Sequence, residues 1–571
     1  MHRCWARRVL ANVMPLRRWL PTCVARIVAW LLCTWPTLTL LHAHEPPLTT
    51  PRPQSRATVV RKVPSVTCTL TISLVDAKTD DPLPGIVQVL DAGGQVTELK
   101  ELVNRGQGIE QKGPIHDWWV LSKPGEITVP AAPLEIRALA GIETELTRQR
   151  IDLAGKTRAT LRVLLARIYR SRDQGYVAGN THLHLMKLSK EQADRYLQEV
   201  PLADGLEVVF LSYLERARAD LEYTSNKYSH RDLERLSHEH LHWGHGQEHR
   251  HNFGSHGEGY GHILLLDTPY IIHPVSIGPG ITERGADAPP LQEGIDTARR
   301  LGGKVIWAHN SFGFEDIPNW VTGRVHANNI FDGSARGSYK DTYYRYLNVG
   351  LHVPFSTGTD WFIYDFSRAY VTTDRPITPT EWLDRLAEGK SFITNGPLLE
   401  WTVDRQGVGS VIDLSKPSRL SARGRALGRQ DCKRIEVVRN GRVVATAVSE
   451  KQGDHFAAAL DVSLTIDAPC WLALRTPPPP VKEDPELQES VALNEFGGSL
   501  FAHTSPIYVN LNGQGVFDTQ TAAQLVAQMK SDWEKIQGQA VFTEPSQRKR
   551  VSQVYQEAIA VLERQLASRG R

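Results

Sequence analysis

The chain has 571 residues, which is too long for a single hydrophobic core and predicts two to four domains. Its formal net charge of +3 comes from the N-terminus. The first 43 residues contain six arginines and no acidic residue, so the rest of the chain has a net charge of −3. A mildly acidic body gives no electrostatic reason to expect a nucleic-acid partner.

Residues 1–43 have the features of an export signal. Several arginines precede an apolar run from Ile27 to Leu41, and "LHAHE" offers a cleavage position after Ala43. The run is about as long as a signal core and contains Pro36, which disfavours a membrane-spanning helix. We therefore predict a signal peptide over residues 1–43 and a periplasmic or secreted protein with no stable membrane span. The alternative is an uncleaved N-terminal anchor, and "RRWL" does not decide between Sec and Tat export.

Three cysteines remain after cleavage: Cys68, Cys432 and Cys470. They form no CxxC pair, so a cysteine-held zinc site is not expected. In an oxidising compartment a disulfide between Cys432 and Cys470 is an open alternative.

After the predicted signal, the composition and the apolar pattern of the sequence change several times. Residues 44–64 are rich in Pro, Thr and Arg and are predicted to be a disordered linker. Residues 65–170 contain short strands separated by Gly and Pro turns, beginning with the alternating stretch "VTCTLTISLVDA", and predict a small β-sandwich. Residues 400–512 return to strands and predict a second sandwich. The tail, residues 513–571, predicts two amphipathic helices separated at Pro545.

Residues 171–399 alternate apolar strand-like runs with helical stretches. Such alternation indicates parallel βα units in a barrel or an open sheet, so the fold class is α/β. Polar residues follow several of these strands, at the edge where folds of this kind build active sites. The strand "HILLLD" is the exception, because its histidine stands at the opposite end.

The stretch "GYVAGNTHLHL" contains His182 and His184 one residue apart in a predicted buried strand. Side chains at i and i+2 of a strand point to the same side, so both imidazoles are expected to face one point. Imidazoles and carboxylates that converge from several elements are the ligands a hydrolytic divalent metal needs. The candidate ligands are His182, His184, Glu248, His262, His309 and Asp360, of which Glu248 is predicted to lie in a loop.

Each candidate also has an ordinary structural explanation. His309 alone could be a buried core histidine, and Asp360 could be a helix cap. The stretch from Ser237 to His262 contains many histidines and could be a solvated loop that scavenges metal, an explanation favoured for His238, His240, His242 and His245. The joint occurrence of the six candidates beside predicted strands favours a metal centre.

These motifs resemble the PHP (polymerase and histidinol phosphatase) superfamily of metal-dependent hydrolases, in particular its CehA/McbA-like branch. The series HxH, Glu, GH, AH and GTD matches the superfamily, and "GKSFITNGPLL" is the most specific match to the branch. The resemblance, which covers most of residues 65–512, implies a distorted (β/α)7 barrel, an N-terminal transthyretin-like β-sandwich and a C-terminal β-sandwich. The predicted tail helices add a helical hairpin at the end of the chain. It implies bound Zn, Mn or Fe, and hydrolysis of a phosphoester, ester, carbamate or amide in a small-molecule substrate.

Two positions depart from the family pattern. Leu214 stands where the family has a histidine at the end of its second strand, with Glu215 as a neighbouring substitute. The final Asp-x-His appears as Asp360, Trp361 and Phe362. One or two metal ions are therefore expected rather than three.

The predicted function is an exported hydrolase in which a bound metal lowers the pKa of water and the resulting hydroxide attacks the substrate. Asp360 is expected to act as ligand and general base, and His273 or His251 to protonate the leaving group. Arg368 and Asn310 are expected to orient the substrate. The alternatives are a non-catalytic binding or scaffold protein with a degenerate metal site, and a histidine-rich metal-buffering protein. The oligomeric state is left open.

Overall fold

The computed structural model describes residues 66–216, 218–251, 259–279, 285–309, 313–333, 337–481 and 488–569. The predicted signal peptide and linker lie outside the described residues. In the part of the chain that is described, no helix is both long and apolar enough to cross a membrane.

The first eight strands form two sheets, one of three strands and one of five. Alternate residues of the first strand, from Cys68 to Leu74, are buried in a core that side chains of both sheets share. Val66, which begins the predicted alternation, is exposed because the strand starts one residue later. The strands are β1 Thr67–Asp76, β2 Gly85–Asp91, β3 Val103–Asn104, β4 Trp119–Leu121, β5 Gly125–Pro130, β6 Pro133–Leu139, β7 Thr147–Asp152 and β8 Arg158–Leu165.

The middle of the chain alternates strands and helices, as the sequence predicts. Ser189 caps the start of the first α-helix, where its side chain accepts from the Gln192 N–H, and Gly205 follows the end of this helix in the left-handed conformation. The elements are β9 Tyr176–His184, α1 Lys190–Asp204, β10 Val208–Tyr213, α2 His230–Leu236, β11 His242–His251, β12 Gly261–Leu266, β13 Ser276–Ile277, α3 Leu291–Arg300, β14 Lys304–Trp307, α4 Asp316–Val321, β15 Ala327–Asn329, α5 Arg345–Leu347, β16 Phe355–Ser356, β17 Asp360–Trp361, β18 Arg368–Thr372, α6 Pro379–Ala387 and β19 Ser391–Thr394.

One large sheet joins these strands. β9, β10 and β11 are parallel, as are β14, β15 and β16, and β17 pairs in parallel with β9. β12 runs antiparallel to both β11 and β14. The carboxyl ends of the parallel strands and the amino end of β12 therefore lie at the same edge. The α/β class is confirmed, whereas the (β/α)7 repeat and the domain boundaries remain predictions.

The C-terminal third consists of strands followed by a helical hairpin. β19 pairs with a strand of this region, β28 (Ala502–Thr504), so the large sheet continues into it. Pro545 begins the second helix of the hairpin, and Leu525, Met529 and Ile536 of the first helix are buried. The elements are β20 Leu398–Val403, β21 Val411–Leu414, β22 Ser418–Gly428, β23 Arg434–Arg439, β24 Arg442–Val448, β25 Glu450–Gln452, β26 His455–Ile466, β27 Cys470–Arg475, β28 Ala502–Thr504, β29 Ile507–Leu511, α7 Thr519–Gln539 and α8 Pro545–Arg569.

The three described cysteines, Cys68, Cys432 and Cys470, are free and buried. The disulfide that the sequence allows between Cys432 and Cys470 is therefore not formed. Burial raises the pKa of both thiols to about 11, so they remain protonated at neutral pH.

Candidate metal centre

β9 brings two imidazoles to one point at the edge of the large sheet. His182 and His184 are fully buried, and their Nε2 atoms lie 2.9 Å apart. The Nδ1 atom of His184 lies 2.9 Å from the carbonyl oxygen of Ser212, which can only accept. The Nδ1 atom of His182 lies 2.7 Å from Oδ2 of Asp332. Both rings are therefore oriented with Nδ1 outwards and Nε2 towards the centre of the cluster.

This orientation determines what the pair can bind. A neutral imidazole whose Nδ1 carries the proton has a lone pair on Nε2. Two such lone pairs facing each other at 2.9 Å repel, and either a metal ion between them or a proton on one Nε2 relieves the repulsion. The carboxylate–histidine arrangement of Asp332 and His182 is the partner geometry commonly found behind a metal-ligating histidine.

Glu248 lies in β11 and is 1 % exposed, so its predicted position in a loop is wrong. β11 is held between β10 and β12, which bury it on both sides. Oε2 of Glu248 lies 3.1 Å from Nε2 of His184 and 3.8 Å from Nε2 of His182. Oε1 lies 3.2 Å from Nδ1 of His262 and 3.7 Å from Nε2 of His309. The two carboxylate oxygens thus face two different halves of the cluster.

His262 and His309 reach the cluster from neighbouring strands. His262 is the second residue of β12, and because β12 is antiparallel its amino end lies at the edge where β11 ends. This explains why "HILLLD" carries its histidine at the end opposite to the other strands. His309 follows β14, adopts the left-handed conformation at φ +56°, and its Nδ1 lies 3.1 Å from the carbonyl oxygen of Asp332.

Asp360 stands in β17, which pairs with β9 so that Asp360 is opposite Leu183. Its Oδ1 lies 3.5 Å from Nε2 of His182 and 3.7 Å from Nε2 of His184. Gly333 approaches this carboxylate closely: a Cβ there would lie 2.7 Å from Oδ2 of Asp360, and the glycine itself has a φ of +72°. The close approach therefore requires glycine at position 333.

Asp332 is the member of the cluster that sequence reasoning missed. It follows β15 and is 1 % exposed, and the side-chain amide of Asn329 donates to its Oδ2 at 2.8 Å. Within each of three groups the ligand atoms lie within 4.8 Å of one another. The groups are His182, His184, Glu248 and Asp360; His182, His309 and Asp332; and Glu248, His262 and His309.

The electrostatics of the cluster favour a positive charge at its centre. Burial alone would lower the pKa of His182, but the Asp332 and Asp360 carboxylates raise it above the ordinary value. Burial likewise opposes charge on His309, yet the nearby carboxylates of Glu248 and Asp360 raise its pKa to about 10. The fields that favour a proton on these rings also favour a metal ion in its place. Nitrogen and oxygen ligands of this kind fit Zn, Mn or Fe.

Two arginines lie next to the cluster. Arg250 is on the same face of β11 as Glu248, two residues later, and its Nη1 is 3.4 Å from Oε1 of that carboxylate. Arg216 is paired with Asp220 at 2.7 Å, and its guanidinium lies 5.7 Å from the ring centre of Trp361. The Trp361 ring in turn is 5.0 Å from that of His184. Both guanidinium groups are positioned to favour negative charge at the site.

The other predicted residues that the structure describes do not belong to the three groups. His273 is exposed. Arg368 is buried in β18 and donates to the backbone carbonyls of Phe366 at 2.8 Å and Asp204 at 2.5 Å. His251 lies 2.8 Å from a carboxylate oxygen of Asp287. Asn310 lies outside the described residues. The catalytic and substrate-binding roles of these residues remain predictions.

At the positions that depart from the family pattern, Leu214 is buried and the Glu215 carboxylate accepts from the Tyr213 hydroxyl at 3.1 Å. Neither belongs to a group that could hold a metal among the described residues. The expected substitution of Glu215 for the missing histidine therefore receives no geometric support.

The histidine-rich stretch is not a solvated loop throughout. His238 and His240 are exposed, whereas His242 begins β11 and His245 is buried within it. Burial lowers the pKa of His245 to about 4, so it is neutral at physiological pH. None of these four histidines belongs to the three groups found among the described residues.

No protein-family model matches the chain, and no curated protein matches it. Two solved structures show weak similarity. One is a two-domain protein from Bacteroides vulgatus ATCC 8482 containing a predicted PHP-like metal-dependent phosphoesterase, with 11% identity and a TM-score of 0.29, covering 53% of this chain and 92% of that one. The other is a β-glucuronidase of Parabacteroides merdae, with 10% identity and a TM-score of 0.14, covering 75% of this chain and 61% of that one.

Proposed function

We propose that the chain is a metal-dependent hydrolase. One observation carries the proposal: side chains from six separate strands or strand ends place imidazole nitrogens and carboxylate oxygens within 4.8 Å of one another in three overlapping groups. Buried imidazoles and carboxylates at the edge of a sheet, with a carboxylate that faces two halves, match what one or two divalent ions require.

The residues divide into two sets around Glu248. His182, His184 and Asp360 accompany one of its oxygens, and His262 and His309 accompany the other. A bound divalent ion would activate water and polarise the bond to be cleaved. Asp332 fixes the orientation of His182 through Nδ1, and the Asp360 carboxylate is positioned to accept a proton. The Arg250 guanidinium, 3.4 Å from Glu248, would stabilise negative charge that develops on the substrate.

The finer assignment is part of the same proposal. The substrate is a small molecule with a phosphoester, ester, carbamate or amide bond, and the chain is a PHP-superfamily enzyme of the CehA/McbA-like branch. The basic, apolar N-terminus supports export to the periplasm or the medium. The mildly acidic remainder supports the absence of a nucleic-acid partner.

The test is metal analysis followed by turnover. Purified protein is expected to contain Zn, Mn or Fe and to hydrolyse p-nitrophenyl esters or phosphates in a broader substrate panel. Activity should be lost with a chelator and in Glu248→Gln, and the metal should restore it only in the parent protein. Bound metal without turnover on the panel would favour the binding or scaffold function instead.

A further inference from the structure

The segment that carries Asp360 has an unusual backbone. Asp360 and Phe362 both adopt the left-handed conformation, with φ of +55° and +57°, although neither is glycine. Residues of this kind are strained there and keep the conformation only when their surroundings hold them. The contacts that hold this segment therefore determine where the Asp360 carboxylate lies.

Ile363, the next residue, is held at both of its backbone groups. Its N–H donates to the hydroxyl oxygen of Tyr196, in α1, at 2.9 Å. Its carbonyl oxygen accepts from Nη1 of Arg105, which follows β3. The strained segment is thus fixed on one side by pairing with β9 and on the other by Tyr196 and Arg105.

Arg105 is well suited to hold a backbone group in place. It is fully buried and bound to Asp204 through two bonds, Nε to Oδ1 at 3.2 Å and Nη2 to Oδ2 at 2.5 Å. Its guanidinium also lies 5.0 Å from the ring centre of Phe496. Because a guanidinium is planar, the two bonds to Asp204 fix the direction of the third nitrogen, which points at Ile363.

A second contact from the same part of the chain supports Phe362. Gly108 lies so close to this ring that a Cβ there would be 2.2 Å from its Cε1 atom, and the glycine has a φ of +86°. The stretch from Arg105 to Gly108 therefore packs against both Phe362 and Ile363.

We infer that Arg105 is a positioning residue of the metal centre: by holding Ile363 it keeps the strained Asp360 segment in place, so that residues following β3 complete the site. The inference rests on the proposed function only in taking Asp360 as a metal ligand. It does not depend on which bond is hydrolysed, or on whether any bond is.

The experiment uses the full chain and zinc affinity, measured by competition with a chromophoric chelator, together with the visible spectrum of the cobalt-substituted protein. The variants are Arg105→Lys, which keeps the charge beside Asp204 but loses the planar fork, and Tyr196→Phe, which removes the hydroxyl that accepts from the Ile363 N–H and also interacts with Arg105. The second variant keeps the test usable if the first folds poorly.

Arg429→Lys is the matched control. Arg429 is also a buried arginine with two bonds to a carboxylate, at 2.6 and 2.9 Å from Glu495, and it donates to the carbonyls of Gly141 and Thr144. It has no described contact with residues 360–363. Its substitution is expected to lower thermal stability as Arg105→Lys does.

We expect zinc affinity to fall about ten-fold or more in Arg105→Lys and Tyr196→Phe, with a changed cobalt spectrum, and to stay at the parent value in Arg429→Lys. Unchanged affinity and spectrum in folded Arg105→Lys or Tyr196→Phe would overturn the inference, as would an equal change in Arg429→Lys. A parent protein that binds zinc but hydrolyses nothing contradicts only the proposed function. A parent that binds no zinc contradicts both.

Discussion

Nδ1 of His182 and Oδ2 of Asp332 lie 2.7 Å apart, although 150 positions separate the two residues in the chain. The contact is fully buried, and a second donor, the amide of Asn329, reaches the same carboxylate oxygen at 2.8 Å. It fixes the face that His182 presents to Glu248 and Asp360.

Replacing this carboxylate by an amide, Asp332→Asn, is expected to weaken zinc binding by about 10- to 100-fold. The amide keeps the shape of the side chain but removes the negative charge that fixes the tautomer of His182. Chelator competition measures the affinity, and Asp413→Asn, an exposed aspartate that accepts from Asn510, is the control. Equal affinities of the two variants would show that Asp332 has no such role.

The division of the cluster into two halves predicts the number of zinc ions that each chain binds. We expect about two zinc ions per parent chain, about one in His262→Ala and almost none in Glu248→Ala, because both halves share the Glu248 carboxylate. Elemental analysis after dialysis gives the counts. A parent chain with one ion, lost equally in both variants, would show a single site.

The exposed histidines test the metal-buffering alternative. A deletion of residues 238–247 would remove most of β11, so the test uses the substitutions His238→Ala and His240→Ala, made together in one variant. Bound metal should be unchanged in this double variant and largely lost when His182 and His184 are both replaced by alanine. The reverse result would support buffering.

Glu315 is expected to make the free energy of unfolding depend on pH. It is fully buried and accepts from the Leu291 and Gln292 N–H groups at the start of α3, where Pro290 provides no side-chain cap. Burial raises its pKa to about 8. Between the ordinary carboxyl pKa of about 4.3 and about 8 the folded state therefore holds a proton that the unfolded state has released, so stability falls as pH rises through this window.

Glu315→Gln should flatten the free energy of unfolding between about pH 5 and pH 8, where the parent loses on the order of 4 kcal/mol from this group. Urea unfolding at a series of pH values, with a chelator present in all samples, measures the difference. Parallel pH profiles for parent and variant would mean that Glu315 is ionised in the folded state at neutral pH.

The strand period was enough to predict the centre of the candidate site. Side chains two apart on a strand share a side, and the Nε2 atoms of His182 and His184 do lie 2.9 Å apart. The alternation of strands and helices likewise predicted the α/β class from local patterns of apolar residues.

The position of Glu248 was not predictable in this way. "HWGHGQEHRH" has no apolar alternation, and its polar side chains are buried because residues distant in sequence bind them. Gln247, for example, donates to the Ile272 carbonyl at 2.9 Å and accepts from the Ile272 N–H at 2.6 Å. Burial of this strand therefore depends on tertiary neighbours that periodicity does not reveal.

Asp332 was not predicted as a ligand for a related reason. β15 has three residues and no apolar run, so no strand was expected there. The sequence does contain a signal for Asp332. In "ANNIFDG" this aspartate follows a short segment that lies between the elements carrying His309 and Asp360. A polar residue that follows even a very short strand is therefore also a candidate ligand.

The reversed direction of β12 has a consequence for how the site assembles. Glu248 and His262 are brought together by a local antiparallel pair, in which Gly246 to His251 face Gly261 to Leu266. His182 meets Asp332 and Asp360 only when distant parts of the chain have closed into one sheet. Contacts between near residues form faster than contacts between distant ones. The contact between Glu248 and His262 is therefore expected to form early in folding, whereas the contacts of His182 with Asp332 and Asp360 form only when the large sheet is complete.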